Sequence, residues 1–231
     1  MKRKISLILA VLLTLSMLAG CGGNGGETNP AAPPETTAPA VEDRPLTLGV
    51  VEGNTYTNTY AGFGCTLGEG WTMLPADQLQ ELPDIVKESV QGTEVGEAMK
   101  DIQQFTDMLA ENVDQMTNMN VLFQKLSMQE RIAYKLLSEE AIVDETLKQK
   151  DALIEAYTAM GLEITSIEKT TVTFLGEEHF AMKTVAETQG VPCYMLQVFN
   201  YGLGEYSVTM TLTSFLEDNT ESMLELFYKV E

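Results

Sequence analysis

Histidine is nearly missing from this sequence: His179 is the only one in 231 residues. Cysteine is almost as scarce, with Cys21, Cys65 and Cys193. No C-x-x-C pair is present, so redox catalysis of that kind is excluded. There is no G-x-S-x-G elbow to expose an activated serine. No spaced D-x-D-x-D-G loop is present to wrap a calcium ion. Basic residues are few: 14 Lys and Arg stand against 34 Asp and Glu, for a formal charge of −20. A surface that acidic repels nucleic-acid phosphates and anionic headgroups, so nucleic acid is not a partner. Tryptophan occurs once, as Trp71.

The one long apolar run is at the start, in "MKRKISLILAVLLTLSMLAGCGG". Lys2, Arg3 and Lys4 form a positive region, and Ile5 to Met17 is almost unbroken apolar sequence. That order is the order of a secretory signal. The run is shorter than the ~20 residues a spanning helix needs. It ends in Leu18, Ala19, Gly20 and Cys21, which resembles a bacterial lipobox, where a diacylglycerol is attached to the cysteine sulfur before cleavage. Residues 1–20 are therefore read as a signal peptide and Cys21 as the lipidated first residue. Removing residues 1–20 takes away three basic groups and no acid, so the formal charge moves from −20 to −23. Two acyl chains hold a protein firmly on a membrane at about 0.8 kcal/mol per buried CH₂. The expected location is the outer face of the cell membrane, with no cofactor other than the lipid.

Residues 21–47 carry that cysteine and a Gly-, then Pro/Thr/Ala-rich segment with almost no large apolar side chain. Such a segment buries too little surface to offset its ordering entropy and reads as a disordered tether. Residues 48–231 have the length of one ordinary domain.

Within that domain, "TYTNTYAGFGCTL" alternates Tyr56, Tyr60, Phe63, Cys65 and Leu67 with small or polar residues, the pattern of a strand pair bent at Ala61-Gly62. Trp71 follows a Gly-x-Gly turn and is read as a packing anchor. Asp77 and Gln80 resemble a capping box for a short helix with Leu79, Leu82 and Val86. Val95, Met99, Ile102, Phe105, Leu109, Val113 and Met116 then recur at three- and four-residue steps, which predicts an amphipathic helix. "NMNVLFQKL" is strand-like. Ser138 is placed to cap a long helix reaching about Met160, with Gly161 as its stop. The last third changes to period 2 in four segments separated by Gly-containing turns. In the last of these Tyr206, Val208, Met210 and Leu212 point one way. Ser207, Thr209, Thr211 and Thr213 point the other, which predicts one buried and one wet face. Asp218 to Glu221 is placed to cap a closing helix with Met223, Leu226, Phe227 and Val230. The expected architecture is α+β: a single antiparallel sheet of six to seven strands with helices packed on it.

The positions Tyr56, Asn58, Tyr60, Gly62, Phe63, Leu67, Gly70 and Trp71 together resemble the opening of PsbP-like lipoproteins from anaerobic Gram-positive bacteria. "MNVLFQKLS" and "YTAMGLEI" are similar to two further stretches of that family. The resemblance covers roughly Tyr56 to Val230. It implies the fold of that family and carries over no catalytic residue, since fold similarity does not transfer function.

Candidate chemistry is sparse. Glu177 and Glu178 flank His179, but strand neighbours face opposite sides, so at most Glu177 shares its face. His179 is read as a lone exposed strand histidine. Met108, Met116 and Met119 are soft enough for Cu(I), and the stronger reading is that they are flexible core filler. Cys65 and Cys193 could pair outside the cytoplasm; two buried thiols is the favoured reading, because both sit in apolar strand-like surroundings. Met99, Met108 and Met116 on the predicted helix would form a flexible surface for a partner. The functional expectation is a non-catalytic lipoprotein that binds or scaffolds other envelope components. The alternative is a small-ligand or cation-binding lipoprotein, and an enzyme comes last.

Overall fold

The structure, a computed structural model, describes residues 45–99, 102–200 and 203–230. The signal segment, the lipobox Leu18–Cys21 and nearly all of the tether lie outside the described residues. Four short strands come first: β1 (Val50–Glu52), β2 (Thr55–Asn58), β3 (Phe63–Thr66) and β4 (Trp71–Met73). Three short helices follow, α1 (Ala76–Leu79), α2 (Leu82–Ser89) and α3 (Glu94–Ala98). Then come β5 (Gln104–Asn112) and β6 (Thr117–Lys125), and helices α4 (Met128–Leu136), α5 (Glu139–Leu147) and α6 (Lys150–Ala159). Strands β7 (Glu163–Phe174), β8 (Glu177–Thr188), β9 (Val191–Asn200) and β10 (Tyr206–Phe215) precede helix α7 (Thr220–Leu224) and strand β11 (Phe227–Lys229).

The domain is α+β, with two antiparallel sheets where one was expected. The large sheet runs β4-β5-β6-β10-β9-β8-β7 and the small one β1-β2-β3-β11. The second sheet exists because the last residues do not continue as a helix. Phe227 pairs with Cys65 and Lys229 with Phe63, so β11 completes the small sheet. The four late strands form as read. Two of their hairpins turn on two-residue loops, Leu175-Gly176 and Gln189-Gly190, all four residues with positive φ. Such loops match the right-handed twist of the strands they join.

One face of the large sheet packs on the small sheet through Tyr56, Phe63, Met108, Val121, Phe123, Leu196, Met210 and Phe227. Its other face meets the helices through Val86, Val143, Leu153, Tyr157, Ile167, Met182 and Met195. A sheet with a layer on each side buries both faces, and this overturns the wet-face expectation for β10: every residue from Ser207 to Phe215 is buried.

The predicted amphipathic helix over Val95–Met116 is a short helix followed by a strand. β5 carries an irregularity in its register between Thr106 and Met108. An extra residue there shifts the alternation by one position, so Phe105 and Met108 both reach the core against the small sheet. The spacing of three is a bulge in a period of two. The long helix from Ser138 breaks between Leu147 and Lys150 into α5 and α6, and α4 was not foreseen. Trp71 is only half-buried on edge strand β4, so the anchoring role falls to Tyr56 and Phe63, which are fully buried.

Candidate functional site

The polar half of β10 faces inward. Across the sheet, Thr211 lies opposite Asn120 on β6 and Gln197 on β9. Thr213 lies opposite Asn118 on one side and Met195 on the other. Ser207 lies opposite Gln124, which lies opposite Gln104. These side chains share the face on which the helices pack, because Val208, Met210 and Leu212 between them take the opposite face. Helices α1 and α2 pack against β5, while α5 and α6 pack against β7 and β8. The central strands β6, β10 and β9 lie between the two groups, and the floor formed by β6 and β10 is largely amide and hydroxyl, bordered by Met195 and Phe199 of β9.

This floor is only partly paired. The Tyr157 hydroxyl of α6 donates to Gln197 Oε1 at 3.5 Å, and Gln197 Nε2 donates to Thr211 Oγ1 at 3.3 Å. Asn118 is 1% exposed, yet among the described residues neither its Nδ2 nor its Oδ1 has a partner. The Oγ1 of Thr213 beside it has none either, and the same holds for Thr106 Oγ1 and Gln104 Nε2. Buried amides and hydroxyls are nearly always bonded, and each orphan calls for an explanation. The only carboxylate in these rows is Glu111, half-buried opposite Asn118 at one end. The floor is therefore a neutral hydrogen-bonding surface. It was legible in part: "TNMN" and "SVTMTLTS" carry the alternation. The sequence does not say that a helix layer covers the polar side.

The residues singled out from the sequence lie elsewhere. Met99 and Met108 are buried in different cores, and Met116 is half-buried in the β5–β6 turn with φ 51°. They share no outward surface, because β5 is a strand and the helical face they were assigned to does not form. Cys65 and Cys193 are buried free thiols on opposite faces of the large sheet. Burial pushes both thiols up to about 12, so they stay protonated near neutral pH and are poor nucleophiles. Among the described residues no three of His, Cys, Asp and Glu converge to hold a metal.

His179 is not the lone exposed histidine expected. Its Nδ1 lies 2.9 Å from Glu139 Oε1 at the start of α5, and its ring packs edge-on against Phe174 at 5.9 Å. The hydrogen bond to Glu139 raises its pKa, with the charges of Glu139 and Glu177 adding to it against the effect of burial. A raised pKa means the pair stabilises the fold fully below the unfolded value of about 6.5, and that contribution is lost as pH rises through the folded value. His179→Gln is therefore expected to lower stability more at pH 5.5–6 than above pH 8, as read by urea midpoints. An equal loss at both pH values would show that the pair carries no charge.

No protein-family model matches this chain, and neither does any curated protein.

Proposed function

We propose that this chain is a non-catalytic binding module of the cell envelope, held on the outer face of the membrane by a diacylglycerol on Cys21. Its ligand is a small neutral polar molecule, rich in hydroxyl or amide groups, taken between the central strands and the helices. The observation that carries this reading is Asn118, buried with both amide atoms unpaired beside an unpaired Thr213 hydroxyl. An unpaired buried polar group costs about 1–3 kcal/mol, whereas an apolar side chain of the same shape there is close to neutral. A fold that keeps such groups gives up stability where a guest supplies the missing partners. The guest is neutral because amides and hydroxyls offer no countercharge. The protonated thiols and the ion-paired His179 support a non-catalytic role.

Replacing Thr213 with Val and Asn118 with Leu together is expected to raise stability by about 1–3 kcal/mol, or roughly 2–4 °C per kcal/mol in Tm for a domain of this size. The same variant should lose any thermal shift that polyols, sugars or amides give the unaltered protein. A fall in Tm in the variant would show instead that the polar layer is held by permanent internal water and is structural. If no neutral ligand shifts the unaltered protein, the ligand reading is wrong. The anchor is tested separately: Cys21→Ala should stop incorporation of labelled fatty acid, and a labelled variant would end the lipobox reading. The resemblance to PsbP-like lipoproteins fits an anchored envelope protein and remains a proposal about ancestry.

A further inference from the structure

Helix α4 differs from its neighbours in having no buried residue. Met128, Ile132 and Leu136 are 76%, 55% and 79% exposed. A spacing of four puts them in one row along the helix, and exposed Leu137 extends the apolar surface. The helix is firmly placed all the same. Ser127 and Glu130 form a capping box at its start. Leu126 donates its backbone N–H to the Glu205 carbonyl at 2.8 Å, and Arg131 pairs with the Glu205 carboxylate at 3.5 Å. A fixed helix thus holds an aliphatic row out toward solvent, and exposed apolar patches of this kind mark interaction sites.

The charge around the row is opposite to that of the whole chain. Lys125, Arg131 and Lys135 fall within eleven residues that hold one acid, Glu130. From Cys21 onward, the rest of the chain has 8 basic against 33 acidic residues. Glu130 is occupied by the cap and Glu205 by Arg131. Glu139 and Glu140, just beyond the helix, face His179 and Lys169. Lys135 is exposed and follows Met128 by seven residues, so it stands almost on the apolar line.

We infer that α4 is a membrane-contact helix that lies on an anionic bilayer, with Met128, Ile132 and Leu136 in the acyl boundary and Lys125 and Lys135 at the headgroups. This inference rests on the membrane location proposed for Cys21. An apolar row flanked by lysines is the form of an interfacial helix. An anionic surface attracts this face and repels the acidic remainder, so the field orients the domain as well as holding it. Two copies of so acidic a protein repel each other, which disfavours a second chain as occupant.

The test holds residues 21–231, with Cys21 replaced by Ser, on phosphatidylcholine–phosphatidylglycerol vesicles through an N-terminal hexahistidine and nickel-chelating lipids. Proximity then does not depend on native lipidation, and failure of the lipobox reading would show only in the fatty-acid labelling. An environment-sensitive fluorophore is placed at Gln129→Cys beside the row, or at Glu187→Cys at the other end of the sheet. The buried Cys65 and Cys193 stay unlabelled. Emission from position 129 should fall several-fold when the acyl chains are brominated, while position 187 stays unchanged. The quenching should vanish in Ile132→Ser/Leu136→Ser with the circular dichroism spectrum retained. Equal emission at the two positions would overturn the inference. So would a signal at 129 that responds to protein concentration without vesicles, which would mark a second copy as the occupant.

Discussion

Phe63→Ala is expected to lower stability by about 3–5 kcal/mol, the range for removing a large ring from a packed core. Phe63 sits between the two sheets, with the rings of Phe174 and Phe227 each 5.7 Å away and Tyr56 at 6.4 Å. Two of these contacts are edge-on, an arrangement worth about 0.5–1.5 kcal/mol per pair beyond the buried area. No neighbour can collapse into the space, because each ring is fixed in a different strand. Trp71→Ala should cost less, about 1–2 kcal/mol, since a half-buried side chain gives up only part of its transfer energy. Urea unfolding followed by far-ultraviolet circular dichroism measures both. A larger loss at Trp71 than at Phe63 would place the anchor back at the tryptophan.

Asp107→Ala is expected to cost about 2–3 kcal/mol, the upper range for losing part-buried hydrogen bonds to a charged group. Its carboxylate accepts from the Tyr56 hydroxyl at 2.6 Å and from Asn58 Nδ2 at 2.7 Å. It also accepts from the Gly49 N–H, at 2.8 Å to one oxygen and 3.1 Å to the other. Burial, and next the Asp107 charge, push the Tyr56 hydroxyl far above its ordinary range, so it remains a donor at any physiological pH. The cluster fastens the start of the domain to the large sheet. Gly49 allows the approach: a Cβ there would lie 2.2 Å from the Tyr56 ring and 2.6 Å from the carboxylate. The bulge in β5 makes room for Asp107 between Thr106 and Met108, which both stay buried. In Asp107→Ala, amide exchange over β1 should quicken along with the loss of stability, because the first strand loses its tie. A loss below about 1 kcal/mol, with exchange unchanged, would reduce Asp107 to an ordinary surface acid.

Elements with a clean period were legible in the sequence. β10 alternates cleanly, and β7 to β9 read as extended, β-rich segments separated by turns that Gly176 and Gly190 make feasible. The strand pair at Tyr56–Thr66 and its bend at Gly62 follow from the same alternation. Errors arose where a local pattern had two solutions. Phe105 and Met108 stand three apart, as on a helix, but the bulge at Thr106–Met108 puts both on one face of a strand and sends Leu109 to the other. Met223, Leu226 and Phe227 fit a helical face, yet β3 offered an unpaired edge, and pairing with Phe227–Lys229 satisfies its backbone groups. The α4 row carried helical periodicity at Met128, Ile132 and Leu136, but periodicity cannot say whether the face it defines is covered.

The same limit governs the polar floor. Ser207, Thr209, Thr211 and Thr213 alternate with apolar residues, and from sequence the natural reading is one face in water. Composition and neighbours close along the chain were enough for the α+β character, the acidic charge and the four late strands, whereas the separation of the two thiols follows from their places in different cores. The enclosure of both faces of the large sheet, by a second sheet and by a helix layer, arises from packing between segments far apart along the chain. That enclosure turns an ordinary amphipathic strand into a buried surface with unpaired amides, and leaves α4 with an apolar row that no other described residue covers. Burial is set by what packs across from a residue, and the packing partners here come from segments up to more than a hundred residues away.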